Sequence, residues 1–569
     1  MNQVIFLILR RMRLPLVMLV ITYAISMLGL VLIPGIDDAG NPWHMDFFHA
    51  FYFVTYMATT IGFGELPYEF TDGQRMWVMA TIYMTVTAWL YAIGKILSLV
   101  QDTGFKNAVT EQVFQRNVRH LSHPFYIICG YGDTGRILVK SLIQRRIQAV
   151  IVDLDQNNIN SLELEDLGLF IPGLCADARR VETLKEAGLT NPKCLGVIAL
   201  TDNDETNLKI AITTKLLEPG IKVVCRAETH DAEDNMNSFG TDHIINAFDV
   251  FAKRLALALH SPGSHILYDW LTGVPNEPLM QPLEPPRGMW VVCGYGRFGQ
   301  AVCSNLLSEG VDVSIIEANS EIAAELDECV LGRGTEANTL ISANIERAVG
   351  IVAGTDNDAN NLSIIMTAGQ INPDLYMVVR QNRQDNQELF EAALPDLVMH
   401  RSEIIARDIF TYLTNPLLIE FLQRALKEGE EWINLVVSRL VAIVGTQVPE
   451  LHLLTVDRQK ASGVIELMNS GNAIKIKDII RDSRDREKTL PVIVLLRVSR
   501  RGDITLTPEE GELIEIGDRL LICGPMGLGP RIDQIVNNYH ALRYLHTGKE
   551  VMHSWLLRLL LDKWERGGH

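Results

Sequence analysis

The sequence predicts a two-part molecule: a helical membrane part with two spans, then an α/β body of two tandem doubly wound units closed by a small α+β lobe. Three observations predict it. Residues 14–33 and 76–93 are apolar runs without a charge. A bilayer crossing takes roughly 20 such residues, and the second run reaches that length with its flanks, as a span over about 74–100. Further on, an apolar strand enters a Gly-x-Gly-x-x-Gly turn and a helical pattern twice, at Phe125 and again at Trp290. Between the two apolar runs lies "TTIGFGELP" (59–67), a glycine pair where a membrane segment breaks off.

The first run lacks a small-residue cleavage site and is followed by a second span, so it reads as a membrane helix and not as a signal peptide. Arg10, Arg11 and Arg13 precede it, and Lys95 and Lys106 follow the second run, while the stretch between Pro34 and Gln74 holds six acids and no basic residue. The positive-inside bias places both termini, and the body that follows, in the cytoplasm of a multi-pass inner-membrane protein. The net charge of −18 falls entirely beyond residue 123, since the first 123 residues carry eight charges of each sign. An acidic body of this kind argues against nucleic acid as a partner, because such binding runs on basic phosphate contacts. The eight cysteines form no CxxC pair and sit mostly in strand-like runs, as buried thiols of a reducing compartment do.

The segment 45–58, "MDFFHAFYFVTYMA", is too short to cross and carries charge only at its start. It fits a re-entrant half-helix whose C-terminal end presents partial negative charge and favours a cation. Non-helical backbone at membrane depth survives only where it is buried or lines a wet cavity. The residues Thr60, Ile61, Gly62, Phe63 and Gly64 that follow resemble the potassium-channel selectivity filter, a ring of backbone carbonyls. The resemblance implies potassium in that ring, four copies of the chain around it, and lipid around the assembly. Phe63 replaces the usual tyrosine and Glu65 the usual aspartate, changes expected to bear on filter stability more than on ion choice. The second span carries Gly73 just outside and Gly94 late, with no mid-span hinge glycine, so the sequence leaves the gate unplaced.

Residues 101–123 read as a polar connector. In "FYIICGYGDTGRILVKSL", Gly130 permits the tight turn, Gly132 lets a phosphate approach, and Gly135 lets the helix pack on the strand. Asp133 and Thr134 complete the turn at a helix N-terminus that favours an anion. Asp153 ends the next strand, 23 residues after Gly130, where a carboxylate accepts from ribose hydroxyls and repels a 2′-phosphate. The pattern returns as Gly294, Gly296, Arg297, Phe298 and Gly299, with Glu317 at the same 23-residue spacing. "TDNDETN" (201–207) recurs as "TDNDANN" (355–361), and "VVCRAE" (223–228) as "MVVRQN" (377–382). These are duplicated Rossmann units, each a candidate nucleotide site. The copies differ where a ligand would touch. Asp177, after the third strand of the first, is placed near an adenine and has no counterpart, and Arg297 stands where the first has Asp133, able to pair with a phosphate.

The whole order of pore and tandem units resembles the prokaryotic two-span potassium channels with tandem RCK domains. The resemblance implies a pore over 1–100, a tether over 101–123, a first RCK unit over 124–270, a second over 287–430, a C-terminal RCK lobe over 431–535 and an amphipathic tail over 536–569. It implies a homotetrameric, ligand-gated, potassium-selective channel and not an enzyme. Its gating ligands would be NAD, ADP or ATP, and calcium. Acid groups that could serve calcium include Asp153 with Asp155, the run 163–166, Asp202 with Asp204, and Asp231, Glu233 and Asp234, without one set standing out. Two other readings stay open: a membrane-anchored NAD-dependent oxidoreductase, and a regulatory NAD-binding subunit of a potassium transporter. Neither explains TTIGFG.

Overall fold

The computed structural model describes residues 2–273, 283–326 and 328–548. The end of the chain from 549 onward, with most of the amphipathic segment, lies outside the described residues. The chain divides into two compact units, one of residues 1–122 with short stretches at 172–174 and 182–191, the other of the remainder.

In the first, α1 (Asn2–Leu32) and α3 (Asp72–Gln101) are long and apolar enough to cross a membrane. They pack on each other, with the short helix α2 (Phe47–Ala58) against both. Close approach is possible because Gly29 has no side chain: a Cβ there would collide with the indole of Trp77, whose Nε1 donates to Ser26 O at 3.1 Å. Small residues at such contacts are how membrane helices come together. α3 continues unbroken through Gly94. Where the sequence predicted only a polar connector, the structure forms α4 (Thr103–Arg119). Asp102 ends α3 and accepts from Phe105 N–H at 3.0 Å, capping the new helix.

Beyond α4, β1 (Phe125–Cys129), β2 (Gln148–Asp153), β3 (Gly173–Cys175), β4 (Cys194–Ala199), β5 (Lys222–Arg226) and β6 (His243–Ile245) form a sheet in the order β3-β2-β1-β4-β5-β6. The copy repeats it with β7 (Trp290–Cys293), β8 (Val313–Glu317), β9 (Cys329–Leu331), β10 (Gly350–Ala353), β11 (Tyr376–Gln381) and β12 (Leu397–His400), in the order β9-β8-β7-β10-β11-β12. The central pairs are parallel. The order reverses beside β1 and beside β7, and the carboxyl ends of strands at such a switch point are where ligands bind. Both central strands are wholly buried, which is why they read as continuous apolar runs.

The helices after each sheet are exchanged. α5 (Asp133–Gln144) follows β1, and α7 (Ala247–His260) follows β6, with α6 (Asp204–Leu217) between β4 and β5. α9 (Arg297–Ser308) follows β7 and α10 (Arg401–Thr414) follows β12, while α8 (Pro262–Thr272) ends the first copy. α7 packs on α9 of the second copy, and α10 packs on α5 of the first. One apolar cluster therefore runs through both, from Tyr126, Ile128 and Leu138 to Trp290, Phe298 and Ile409. The closing lobe is a four-stranded antiparallel sheet of 450–455, 519–524, 493–498 and 504–506, flanked by helices.

Burial pushes the thiols of Cys129, Cys194, Cys293 and Cys303 up to about 12, and those of Cys225 and Cys523 still higher. The thiolate is the reactive form. A maleimide at neutral pH is therefore expected to leave these six unlabelled in the folded protein and to label them after denaturation, as read by peptide mass spectrometry. Labelling of Cys129 or Cys293 in the native state would contradict the packing.

Candidate ion pathway and nucleotide sites

The glycine loop is hung from α2. Asp46 caps that helix by accepting from His49 N–H at 2.7 Å. At the other end, the Tyr56 carbonyl accepts from Ile61 N–H at 2.9 Å and Gly62 N–H at 3.4 Å. The Tyr56 hydroxyl donates to Gly64 O at 2.5 Å. Gly62 and Gly64 take φ of +66° and +98°, and Thr60 takes +61°, a region that disfavours a β-branched residue. Beyond the loop, Glu65 receives both Nε and Nη2 of Arg75 at 2.9 and 3.0 Å and the N–H of Phe70 at 2.8 Å. The amides of Ile61 and Gly62 are thus tied back and the outer end is clamped. Among the described residues none donates a hydrogen bond to the carbonyls of Thr60, Ile61, Gly62 or Phe63. Sequence reasoning weighed the hydroxyl that Phe63 lacks. It missed Tyr56 and Arg75, whose signals were a polar tip in an apolar half-helix and a cation opening an apolar span.

At the glycine turns the two copies agree. α5 begins after Gly132 and α9 after Gly296, both caps in extended conformation. A Cβ on Gly132 or Gly296 would meet nothing within 4 Å, so the approach to each helix N-terminus is open. A Cβ on Gly135 would collide with Gly130 O, and one on Gly299 with Gly294 O, so these two glycines allow helix and strand to touch. Gly130 itself has φ +107° and Gly294 +93°. Asp153 accepts from Tyr131 N–H at 2.5 Å and Asp155 N–H at 2.7 Å. Glu317 does the same with Tyr295 N–H at 2.6 Å and Asn319 N–H at 2.9 Å. Each carboxylate fixes its turn and keeps lone pairs for further donors, since an ionised carboxylate offers about four acceptor sites. These residues fit a dinucleotide: open N-termini for its phosphates and a strand-end carboxylate for a ribose.

Other predicted residues have different company. Asp133 is exposed on the first turn of α5 and Thr134 is buried beneath it. Asp177 is held by Arg179 at 2.7 Å, a pairing that keeps its carboxyl below the ordinary range. Phe298 is fully buried against Phe248 and Phe251 of the exchanged helix α7. Arg297, expected beside phosphates, has its guanidinium 2.5 Å from Glu228 of the first copy. Glu228 is also paired with Arg226 and, at 2.8 Å, with Arg401. Burial would raise this carboxyl, but Arg226, Arg401 and Arg297 outweigh it and hold it below its ordinary value.

Of the acids considered for calcium, Asp202 and Asp204 have protein partners. Arg226 stands 2.7 Å from Asp202, and Asp204 accepts from Glu228 N–H and the Thr229 hydroxyl at 3.1 Å each. His230, Glu233 and Asp249 bring ligand atoms within 4.8 Å of one another, too few oxygens for the six to eight that calcium takes. Removing the shared carboxylate leaves the buried Arg226 and the largely buried Arg401 with only the exposed Asp202 between them, a loss of up to the about 3–5 kcal/mol of a broken buried pair. Glu228→Ala is therefore expected to lower the denaturant midpoint of the purified protein clearly. Because the folded value is depressed, Glu228 stabilises fully above the ordinary carboxylate range and loses its contribution as pH falls through the lowered value. An unchanged midpoint at pH 7 would remove the cluster from the account of how the copies hold together.

Comparison with known proteins agrees with this architecture. Residues 16–102 match the ion channel family, and residues 126–247 and 290–401 each match the TrkA-N domain. Potassium channel protein 1 of Methanocaldococcus jannaschii is 27% identical over 217 residues, 38% of this chain and 63% of that protein. A second probable potassium channel of the same organism is 26% identical, again with 62% of its length covered. The chain thus spans somewhat less than two thirds of these relatives. A Trk system potassium uptake protein TrkA homolog of Pyrococcus abyssi is 32% identical over 173 residues, 29% of this chain and 75% of the relative. Among solved structures, the GsuK channel bound to NAD is 16% identical, covers 94% of this chain with 99% of its own, and has a TM-score of 0.46. With an ion-channel domain ahead of two copies of the TrkA-N fold, the chain belongs to the TrkA-N (RCK) family.

Proposed function

We propose that the chain is the subunit of a homotetrameric, potassium-selective channel in the inner membrane, and that nucleotides bound at the glycine turns of its TrkA-N units control its opening. The observation that carries the conduction reading is the row of four successive carbonyls, Thr60 to Phe63, left free while the neighbouring amides are tied to Tyr56. Four such rows around an axis replace the hydration shell of a cation. The curated relatives named as potassium channels support it. For the control, the support is the pair of open helix N-termini at Gly132 and Gly296 with Asp153 and Glu317 beside them. NAD is what the GsuK structure names, and NAD or ADP is the ligand class these turns fit. The chain's own residues orient the phosphates and the ribose, and no acid–base pair for hydride chemistry is part of this reading. Reconstitution of the protein alone in liposomes tests it: potassium flux well above sodium flux is expected, altered by NAD or ADP on the cytoplasmic side. Absence of potassium flux would favour a regulatory subunit.

A further inference from the structure

The duplication allows each charged residue of the first copy to be compared with its counterpart 154 positions on, the offset that aligns 201–207 with 355–361. Arg226, at the end of β5, is 3% exposed and has two carboxylates, Asp202 and Glu228. Its counterpart at the end of β11 is Arg380, 8% exposed. Asn382 stands where Glu228 stood, and its amide is directed to Thr355 O and Asp358. Asp356 stands where Asp202 stood, and among the described residues neither it nor any other carboxylate lies in ion-pair contact with Arg380. The buried Nε of Arg380 has no hydrogen-bond partner. Its guanidinium lies over the rings of Phe248 and Phe298, at 4.9 and 6.0 Å.

A ring face is a weaker counterpart for a buried cation than a hydrogen-bonded anion. The surroundings add positive charge. Arg401 and Arg297 both act on Arg380, opposed from a distance by Asp356 and by Glu228, a buried carboxylate already divided among Arg226, Arg297 and Arg401. Burial first, then Arg401, pushes the Arg380 guanidinium down to about 10. The second copy has kept the arginine but, among the described residues, no carboxylate in ion-pair contact with it; Asp356 acts on it only from beyond that distance.

We propose that Arg380, with Arg297 and Arg401, forms an oxyanion site between the two Rossmann units, occupied by a phosphate group. The planar guanidinium fork matches the oxygens of such a group. Because Arg297 opens α9 beside the second glycine turn, the phosphate is either inorganic or carried by a nucleotide in that turn, the latter resting on the nucleotide reading above.

The test is thermal unfolding of the purified full-length protein in detergent, titrated with inorganic phosphate or with ADP against potassium chloride of equal ionic strength. Wild type is expected to melt about 2 °C or more higher with at least one of the two probes. Asn382→Glu restores the counter-ion that the first copy has. It is expected to melt no lower than wild type without ligand and to lose the rise, as is Arg380→Gln. If the rise with inorganic phosphate survives Gly296→Asp, free phosphate is the occupant. If the rise needs ADP and Gly296→Asp removes it, the phosphate is the nucleotide's. Full retention of the rise in Asn382→Glu and Arg380→Gln overturns the site even if nucleotide binds, and so does a wild type that responds to neither probe.

Discussion

Protein carrying Gly62→Ala is expected to fold and enter liposomes but to pass potassium at less than about a tenth of the wild-type rate. The reason is local. A Cβ at this position would meet no atom within 4 Å, so packing tolerates it. The backbone does not: φ is +66°, and an L-residue there costs roughly 1–2 kcal/mol. In a tetramer the loop would relax in all four copies and turn the free carbonyls of Ile61 and Gly62 away from a common axis. Gly94→Ala is the control, since Gly94 is helical and also open. Wild-type flux in Gly62→Ala would mean that the loop is not the ion path.

The second large effect concerns Gly132→Asp. Gly132 has φ −76° and ψ −161° and caps α5, a position where aspartate is a favoured residue. The unit is expected to fold as well as before. The new carboxylate, however, occupies the open approach to the helix N-terminus and meets the phosphates with like charge. Nucleotide response should fall by at least tenfold in apparent affinity, with the ratio of potassium to sodium flux unchanged. A ligand shifts a gate only by its different affinity for two states, typically about 1–3 kcal/mol per site. Recording wild type and variant with NAD, NADH, ADP and ATP decides the matter. An unchanged response in the variant would move the sensor away from the first glycine turn.

Features written in neighbouring residues were legible in the sequence. The spans, the half-helix and both glycine turns follow from runs and spacings of a few residues. So does the strand-end carboxylate, whose hydrogen bond to the turn amide is the same in both copies. Features written across the fold were not. Arg297 reads as a phosphate partner in "GYGRFG", and nothing in that motif announces that its guanidinium also meets Glu228, 69 positions earlier, because the helix exchange brings the copies face to face. Phe298 sits in a binding motif and is core, because α7 lays Phe248 and Phe251 on it. α4 is polar on the whole, and sequence reasoning passed over its stripe of Phe105, Val109 and Val113 with Phe114 and Val118, as it did the cap residue Asp102.

The helix exchange also bears on how the chain is made. During synthesis the first sheet leaves the ribosome complete, with α7 behind it. The apolar face of α7, with Phe248, Phe251, Ala252 and Leu255, is covered only once α9 has been translated, some 50 residues later. The face of α5 waits longer still, for α10. The nascent first copy therefore spends the interval with sticky helix faces uncovered. That is the condition in which chains associate with the wrong partner, or with a neighbouring nascent chain, before their own second half arrives.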